Sequence, residues 1–130
     1  MNNVEKYIRY SLAIVYIWFG VLKPFGISPA AGLVDLTLDW TLVPAVVSVL
    51  GIWEIVIGIG FLLPKYTRIV LAMFLVHMLG TFIPMFYLVD TTFTAAPYGL
   101  TIVGQYIIKN LVFLAAGNAI YTAWKSRQAA

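Results

Sequence analysis

Cysteine and charge are the two things this chain does without. The absence of cysteine removes disulfides, thiol–disulfide relays, thiolate metal sites and cysteine nucleophiles, and leaves the redox state of the compartment open. Charged residues make up only 10% of the chain, against roughly 25% in soluble domains. Histidine occurs once, as His77, and one histidine beside one acid cannot hold a metal ion. There is no nucleophile–base–acid triad, phosphate-cradling glycine loop, haem pair or metal motif. The closely spaced Gly51, Gly58 and Gly60 follow no strand and read as glycines of helix packing. No catalytic residue and no metal ligand is assigned, and the expectation is a protein without catalytic activity of its own.

What the chain does have is apolar length. Hydrophobic residues account for 62% of its 130 positions, more than a soluble domain of this size can bury. At roughly 20 residues per span, this length holds about four spans with short loops. The expected fold is therefore an all-α membrane protein, a four-transmembrane-helix antiparallel bundle forming one domain over 1–130. Its spans are placed at about 7–23, 42–63, 69–89 and 102–124. The first could be mistaken for a signal peptide ending near Ser28-Pro29-Ala30, but signal cores rarely carry an arginine and so many aromatics. Ser28 as cap and Pro29 at the first helical position predict a short interfacial helix over 29–36. Pro44 is tolerated in the first turn of the second span, and Pro64 stops it. Pro84 predicts a kink near Gly80–Pro84 in the third, and residues 90–101 read as a Thr-rich loop.

The net charge of +3 sits at helix ends rather than in a patch, which argues for membrane topology and against nucleic acid. Lys6, Arg9, Lys65, Arg68, Lys125 and Arg127 fall on one side, and Asp35, Asp39 and Asp90 on the other. By the positive-inside rule both termini are cytoplasmic, in a bacterial-type inner membrane. Trp40, Tyr87 and Tyr98 suit one aromatic belt, and Tyr7, Tyr66, Tyr121 and Trp124 the other.

The second span, LVPAVVSVLGIWEIVIGIGFLL, carries the only acid inside a span, Glu54. A charge at mid-bilayer costs roughly 2.5 to 3.5 kcal/mol even on insertion scales, so it needs a partner and should face protein or water. Counted from the cytoplasmic edge, Glu54 and His77 share a depth of about 12 to 14 Å, with Lys109 and Lys23 at about 22 to 24 Å. His77 and Lys109 are thus the candidate partners. Small or polar stripes run along each helix: Arg9, Ala13, Tyr16, Gly20 and Lys23; Val47, Gly51, Glu54 and Gly58; Met73, His77, Gly80 and Pro84; Gln105, Lys109, Val112, Ala116 and Ala119. These stripes are expected to face one another.

Each polar residue has two readings. Glu54 is a proton-handling or ligand-binding carboxylate, or the structural partner of Lys109 or His77. His77 is a ligand group or a hydrogen-bonded packing residue. Lys109 joins the interior line or snorkels outward, and Lys23 joins it or closes its helix. Trp18 and Trp53 pack, or line a flat-ring pocket.

The run Trp18-Phe19-Gly20-Val21-Leu22-Lys23 and Ser28-Pro29, then Gly51-Ile52-Trp53-Glu54 with Gly58, Arg68, and Gly104-Gln105-Tyr106-Ile107-Ile108-Lys109-Asn110, resembles the DoxX-like family of small four-span membrane proteins. The resemblance covers nearly the whole chain. It implies the four-helix fold and singles out Lys23, Glu54, Lys109 and Asn110. Some relatives accompany quinone-linked or thiol-linked oxidoreductases; the missing cysteines argue against the thiol-linked chemistry here. The expected function is an accessory or structural subunit of a larger redox or energy-converting membrane complex. The alternatives are a stand-alone small-molecule or proton binder using a Glu54, His77 and Lys109 line with Gln105, Asn110 and Lys23, and a quinone-linked oxidoreductase subunit. No cofactor is called for beyond a quinone or lipid. The expected partners are membrane lipids and other membrane subunits or further copies of the chain.

Overall fold

A computed structural model describes residues 1–37 and 43–129. The described residues are mostly helical (82%). Helix α1 spans Asn3–Leu22, α2 Ala30–Thr37 and α3 Val43–Phe61. A 3₁₀ turn at Pro64–Tyr66 leads into α4 (Thr67–Thr81), followed by the short α5 (Ile83–Tyr87) and α6 (Val89–Thr92). Strands β1 (Phe93–Ala95) and β2 (Gly99–Leu100) form a small antiparallel hairpin, and α7 (Ile102–Ala129) ends the described chain. Among the described residues, two stretches are long and apolar enough to cross a membrane, Pro44–Phe61 with mean hydropathy 2.0 and Pro64–Tyr87 with 2.2. Asp39, Trp40 and the expected span start at Leu42 lie outside the described residues.

Local chemistry accounts for the breaks. The Asn2 side chain accepts the Glu5 amide at 2.8 Å and caps α1. Pro64 opens the 3₁₀ turn, and Thr67 donates its hydroxyl back to the Pro64 carbonyl at 2.7 Å, tightening the reversal into α4. Pro84 has no N–H to return to the preceding turn, and there the helical run divides between α4 and α5. The Thr-rich segment is more ordered than a loop: Phe93 pairs with Leu100, and the Thr101 hydroxyl donates to the Thr91 carbonyl at 2.6 Å.

Helices α1 and α3 make the closest approach. A Cβ on Gly20 would lie 2.7 Å from the Gly51 carbonyl oxygen, and one on Gly51 would lie 2.6 Å from the Gly20 carbonyl oxygen. Only glycine at both positions lets the two backbones touch, the close approach seen where small residues line membrane helix pairs. Around this contact the core assembles from Leu12, Ala13, Tyr16, Ile57, Phe61, Val70, Phe74, Met78 and Ile120. Tyr16, Phe61 and Phe74 pack as a mutual ring cluster with centroids 5.5 to 6.1 Å apart, a spacing favoured by edge-to-face and tilted arrangements.

The expected stripes of α1 and α3 are the inward faces of those helices: Arg9, Ala13, Tyr16, Gly20 and Lys23, and Val47, Gly51, Glu54 and Gly58, are buried. Two stripes need correction. On α7 the inward residues are Gly104, Ile107, Gly117 and Ile120, while Gln105, Lys109, Val112 and Ala119 are exposed and Ala116 is half-buried. Tight contacts set that face, since a Cβ on Gly104 would strike the Thr92 carbonyl and one on Gly117 the Phe74 ring. On α4 and α5 the inward residues are Val70, Phe74, Met78 and Pro84. His77 is half-buried beside them, and Gly80 is open, with nothing within 4 Å of a would-be Cβ.

The glycine contact makes a paired prediction. Gly51→Val should force α1 and α3 apart and cost about 1 to 3 kcal/mol or more, as overpacking does. Gly80→Ala should be neutral or stabilising by about 0.5 to 1 kcal/mol through helix propensity. Thermal unfolding in one detergent reads both; equal losses would mean that the Gly20–Gly51 contact is not a packing constraint.

Candidate functional site

Glu54 lies on the inward face of α3, one helical turn beyond Gly51. The same close approach that brings Gly20 against Gly51 sets the Lys23 Cβ 2.8 Å from where a Gly51 Cβ would be. The lysine stem therefore starts alongside α3, and its ammonium reaches Glu54. Lys23 Nζ donates to Glu54 Oε2 at 2.5 Å, and both residues are 7% exposed. From α4, His77 Nε2 lies 3.0 Å from Glu54 Oε1. His77 Nδ1 in turn lies 3.1 Å from the Tyr16 hydroxyl of α1. The result is one continuous chain, Lys23–Glu54–His77–Tyr16, that begins and ends on α1 and passes through α3 and α4.

The geometry fixes most of the protons. A carboxylate only accepts, so the histidine contact requires the proton on Nε2. Lysine only donates, so Glu54 accepts from Lys23 on one oxygen and from His77 on the other. With neutral imidazole, Nδ1 accepts the tyrosine O–H. The ion pair then cancels its own charge, and every polar atom of the chain is bonded. The same holds more widely: among the described residues, no buried side-chain nitrogen or oxygen lacks a partner.

The candidate residues of the sequence thus divide. Glu54, His77 and Lys23 come together. Lys109 does not join them: its ammonium sits 4.9 Å from the Tyr106 ring centroid on the exposed side of α7. It takes the outward alternative, with an aromatic one turn away as its cation–π partner. Gln105 is exposed on the same side. Asn110 turns inward and donates to the Thr81 hydroxyl at 2.8 Å, a tie between α7 and α4 separate from the Glu54 chain. Lys23 stands nearer Glu54 than residue counting suggests, because depth along separate straight helices ignores both how they cross and how far a lysine folds back.

A second buried charge cluster lies at the other end of α1. Arg9 is 1% exposed and Glu5 2%. Arg9 donates to Glu5 Oε1 at 2.9 Å, to the Phe61 carbonyl at 3.2 Å and to the Thr67 hydroxyl at 2.7 Å. Arg127, near the end of α7, grips both oxygens of the same carboxylate, the fork geometry suited to arginine. The start of α1, the α3–α4 turn and the end of α7 therefore meet at one end of the molecule. Burial pushes the Glu5 carboxyl up, but the hydrogen bonds and charges of Arg127 and Arg9 outweigh it and hold the group below its ordinary value. Glu5 is not among the site residues expected from the sequence. The available signal was the spacing of Glu5 and Arg9, four apart on one helical face.

The chain matches no protein-family model, no curated protein and no solved structure.

Two outcomes test these clusters. Lys23→Met or Glu54→Gln alone should destabilise by about 3 to 5 kcal/mol, and the double variant should recover most of that loss, as for a buried pair removed together. Lys109→Met should change stability by less than about 0.5 kcal/mol. Additive losses in the cycle would mean that Lys23 does not compensate Glu54. The Glu5 cluster predicts an acid dependence. Because the folded carboxyl is held below its ordinary value of 4.5, its stabilisation is fully present above that pH and fades as pH falls through the lower folded value. Wild type should out-melt Glu5→Gln at neutral pH and converge with it in acid. A gap independent of pH would rule out the ionised pair as its source.

Proposed function

We propose that this chain is a four-span integral membrane protein of the bacterial-type inner membrane, an antiparallel bundle with both termini cytoplasmic. In this reading it acts as an accessory or structural subunit of a larger membrane complex. The two apolar stretches are compatible with membrane insertion by length and composition. Helices α1 and α7, with 20 and 28 residues, are long enough to span at 1.5 Å per residue. The charges that make α1 less apolar are turned inward and paired, Arg9 with Glu5 and Lys23 with Glu54. Outward, the helices present Trp18 (65% exposed), Val49 (62%), Val76 (63%) and Val112 (71%), the pattern of surfaces that meet lipid rather than water.

The observation that carries the subunit reading is the contrast between interior and exterior. Among the described residues the buried polar side chains bond to protein partners. The exposed side of α7 carries Gln105, Tyr106 and Lys109 in its first two turns. At the outer end of the expected span, a side-chain amide and an ammonium on one face can bond polar groups of a neighbouring helix. Another membrane subunit laid along α7 provides such a bond. The resemblance to DoxX-like proteins agrees with this reading and extends it to complexes of redox or energy-converting kind. A quinone-linked or lipid-linked role has a narrower support, the open apolar groove lined by Tyr10, Ala13, Ile14, Ile17, Trp18 and Leu62.

Cysteine labels at both termini and at Tyr66 should all report the cytoplasm, and labels at Asp35 and Thr94 the opposite side. On native gels from mild detergent the chain should migrate with partners, and Gln105→Leu with Lys109→Leu should weaken that association while leaving its own melting unchanged. Labels that disagree would overturn the topology. A wild type that always runs as a single copy would overturn the subunit role.

A further inference from the structure

The central chain has one group that is satisfied in two protonation states. Glu54 requires a proton on His77 Nε2 whether the imidazole is neutral or charged. The other nitrogen, Nδ1, faces the Tyr16 hydroxyl at 3.1 Å, and a hydroxyl both donates and accepts. With neutral imidazole, Tyr16 donates to Nδ1. With imidazolium, Nδ1–H donates to the tyrosine oxygen after the hydroxyl hydrogen rotates away. No heavy atom needs to move between the two states. Glu54 then stands between two cations, Lys23 on Oε2 and imidazolium on Oε1.

From this two-way fit we propose that His77 is a proton-binding site in the interior, loading one proton onto Nδ1 and changing the site from internally neutral to singly positive. The step balances simply: hydronium gives a proton to the Nδ1 lone pair and leaves water, and the Tyr16 hydroxyl turns from donor to acceptor, its own hydrogen giving up the bond to Nδ1. The charged and titratable groups around the imidazole are few. Glu54 faces it from α3, with Lys23 of α1 behind that carboxylate, and Tyr16 faces it from α1. From α7 the nearest polar tie is Asn110 to Thr81, which does not titrate, and Lys109 points outward over Tyr106. From α5, Pro84 is buried and Tyr87 exposed.

Between Tyr16 and Arg9 lie two helical turns of α1, and the buried neighbours there are Leu12, Ala13, Phe61 and Phe74. The rings of Phe61 and Phe74 pack against Tyr16 itself. No polar side chain among these residues continues the hydrogen-bonded chain toward the Glu5 cluster. The inference goes beyond the subunit reading and holds for a single copy as well as for a complex.

Because the chain has one histidine, its ring nitrogens can be observed without ambiguity. The protein, labelled with ¹⁵N-histidine and held in nanodiscs, is titrated by NMR from about pH 9 to pH 4, a window around the ordinary imidazole value. The expected high-pH spectrum is the neutral tautomer with the proton on Nε2, converting to imidazolium in one step. Tyr16→Phe removes the acceptor for the charged state, which forms the stronger bond, and should weaken proton binding about tenfold. Glu54→Gln should weaken it further. A histidine that keeps one charge state across the window, a neutral tautomer protonated on Nδ1, or a midpoint that Tyr16→Phe leaves unchanged would each overturn the proposal. The wild-type titration decides even if a variant fails to fold. Its outcome is independent of whether the chain co-migrates with partners.

Discussion

A carboxylate placed in an apolar interior is tolerated only when its charge is answered, and Glu54 governs how three helices meet. Lys23 comes to it from α1 and His77 from α4, so the acid on α3 fixes the register of both neighbours. Meeting this demand requires backbones close enough for short polar bonds, and Gly20 and Gly51 supply that proximity. The buried pair by itself is weak evidence for net stability, since desolvation offsets most of the attraction. What it specifies is arrangement: slide either helix by one residue and a charge is left without its partner in the apolar interior.

The polar groups are organised in two centres rather than along one line. At one end Glu5, Arg9 and Arg127 bind the start of α1, the α3–α4 turn and the end of α7. In the middle sits the Lys23–Glu54–His77–Tyr16 chain. Between them the ring cluster of Tyr16, Phe61 and Phe74 fills the space with edge-to-face and tilted contacts. Tyr16 belongs to both regions: its ring packs with the phenylalanines and its hydroxyl meets the imidazole.

Periodicity in the sequence carried much of this. The inward faces of α1 and α3 follow from small and polar residues at three- and four-residue spacing, and the break before Pro84 follows from its missing N–H. The faces of α4 and α7 were less legible, because both helices have apolar or small residues on several sides, and only contact with Phe74 and Thr92 selects the buried one. Glu54 was readable as an acid needing a partner, and His77 as a neighbour at equal depth. Lys23 was on the expected inward stripe and among the candidates but was not named as the partner of Glu54, since helix crossing is not written in residue counts. Glu5 was missed for a related reason: its second arginine lies at the far end of the sequence, where no local pattern reaches.

That last separation bears on how the chain is made. Glu5 and Arg127 lie 122 positions apart, so a ribosome emits the acid long before the base that completes its fork. Arg9, one turn away on the same helix, holds the carboxylate in the meantime and is itself left short of the Phe61 carbonyl and the Thr67 hydroxyl until the α3–α4 turn arrives. Synthesis therefore makes the partners of this cluster available in stages, first the local arginine, then the turn, then the final helix, and only the last joins the beginning of the described chain to its end.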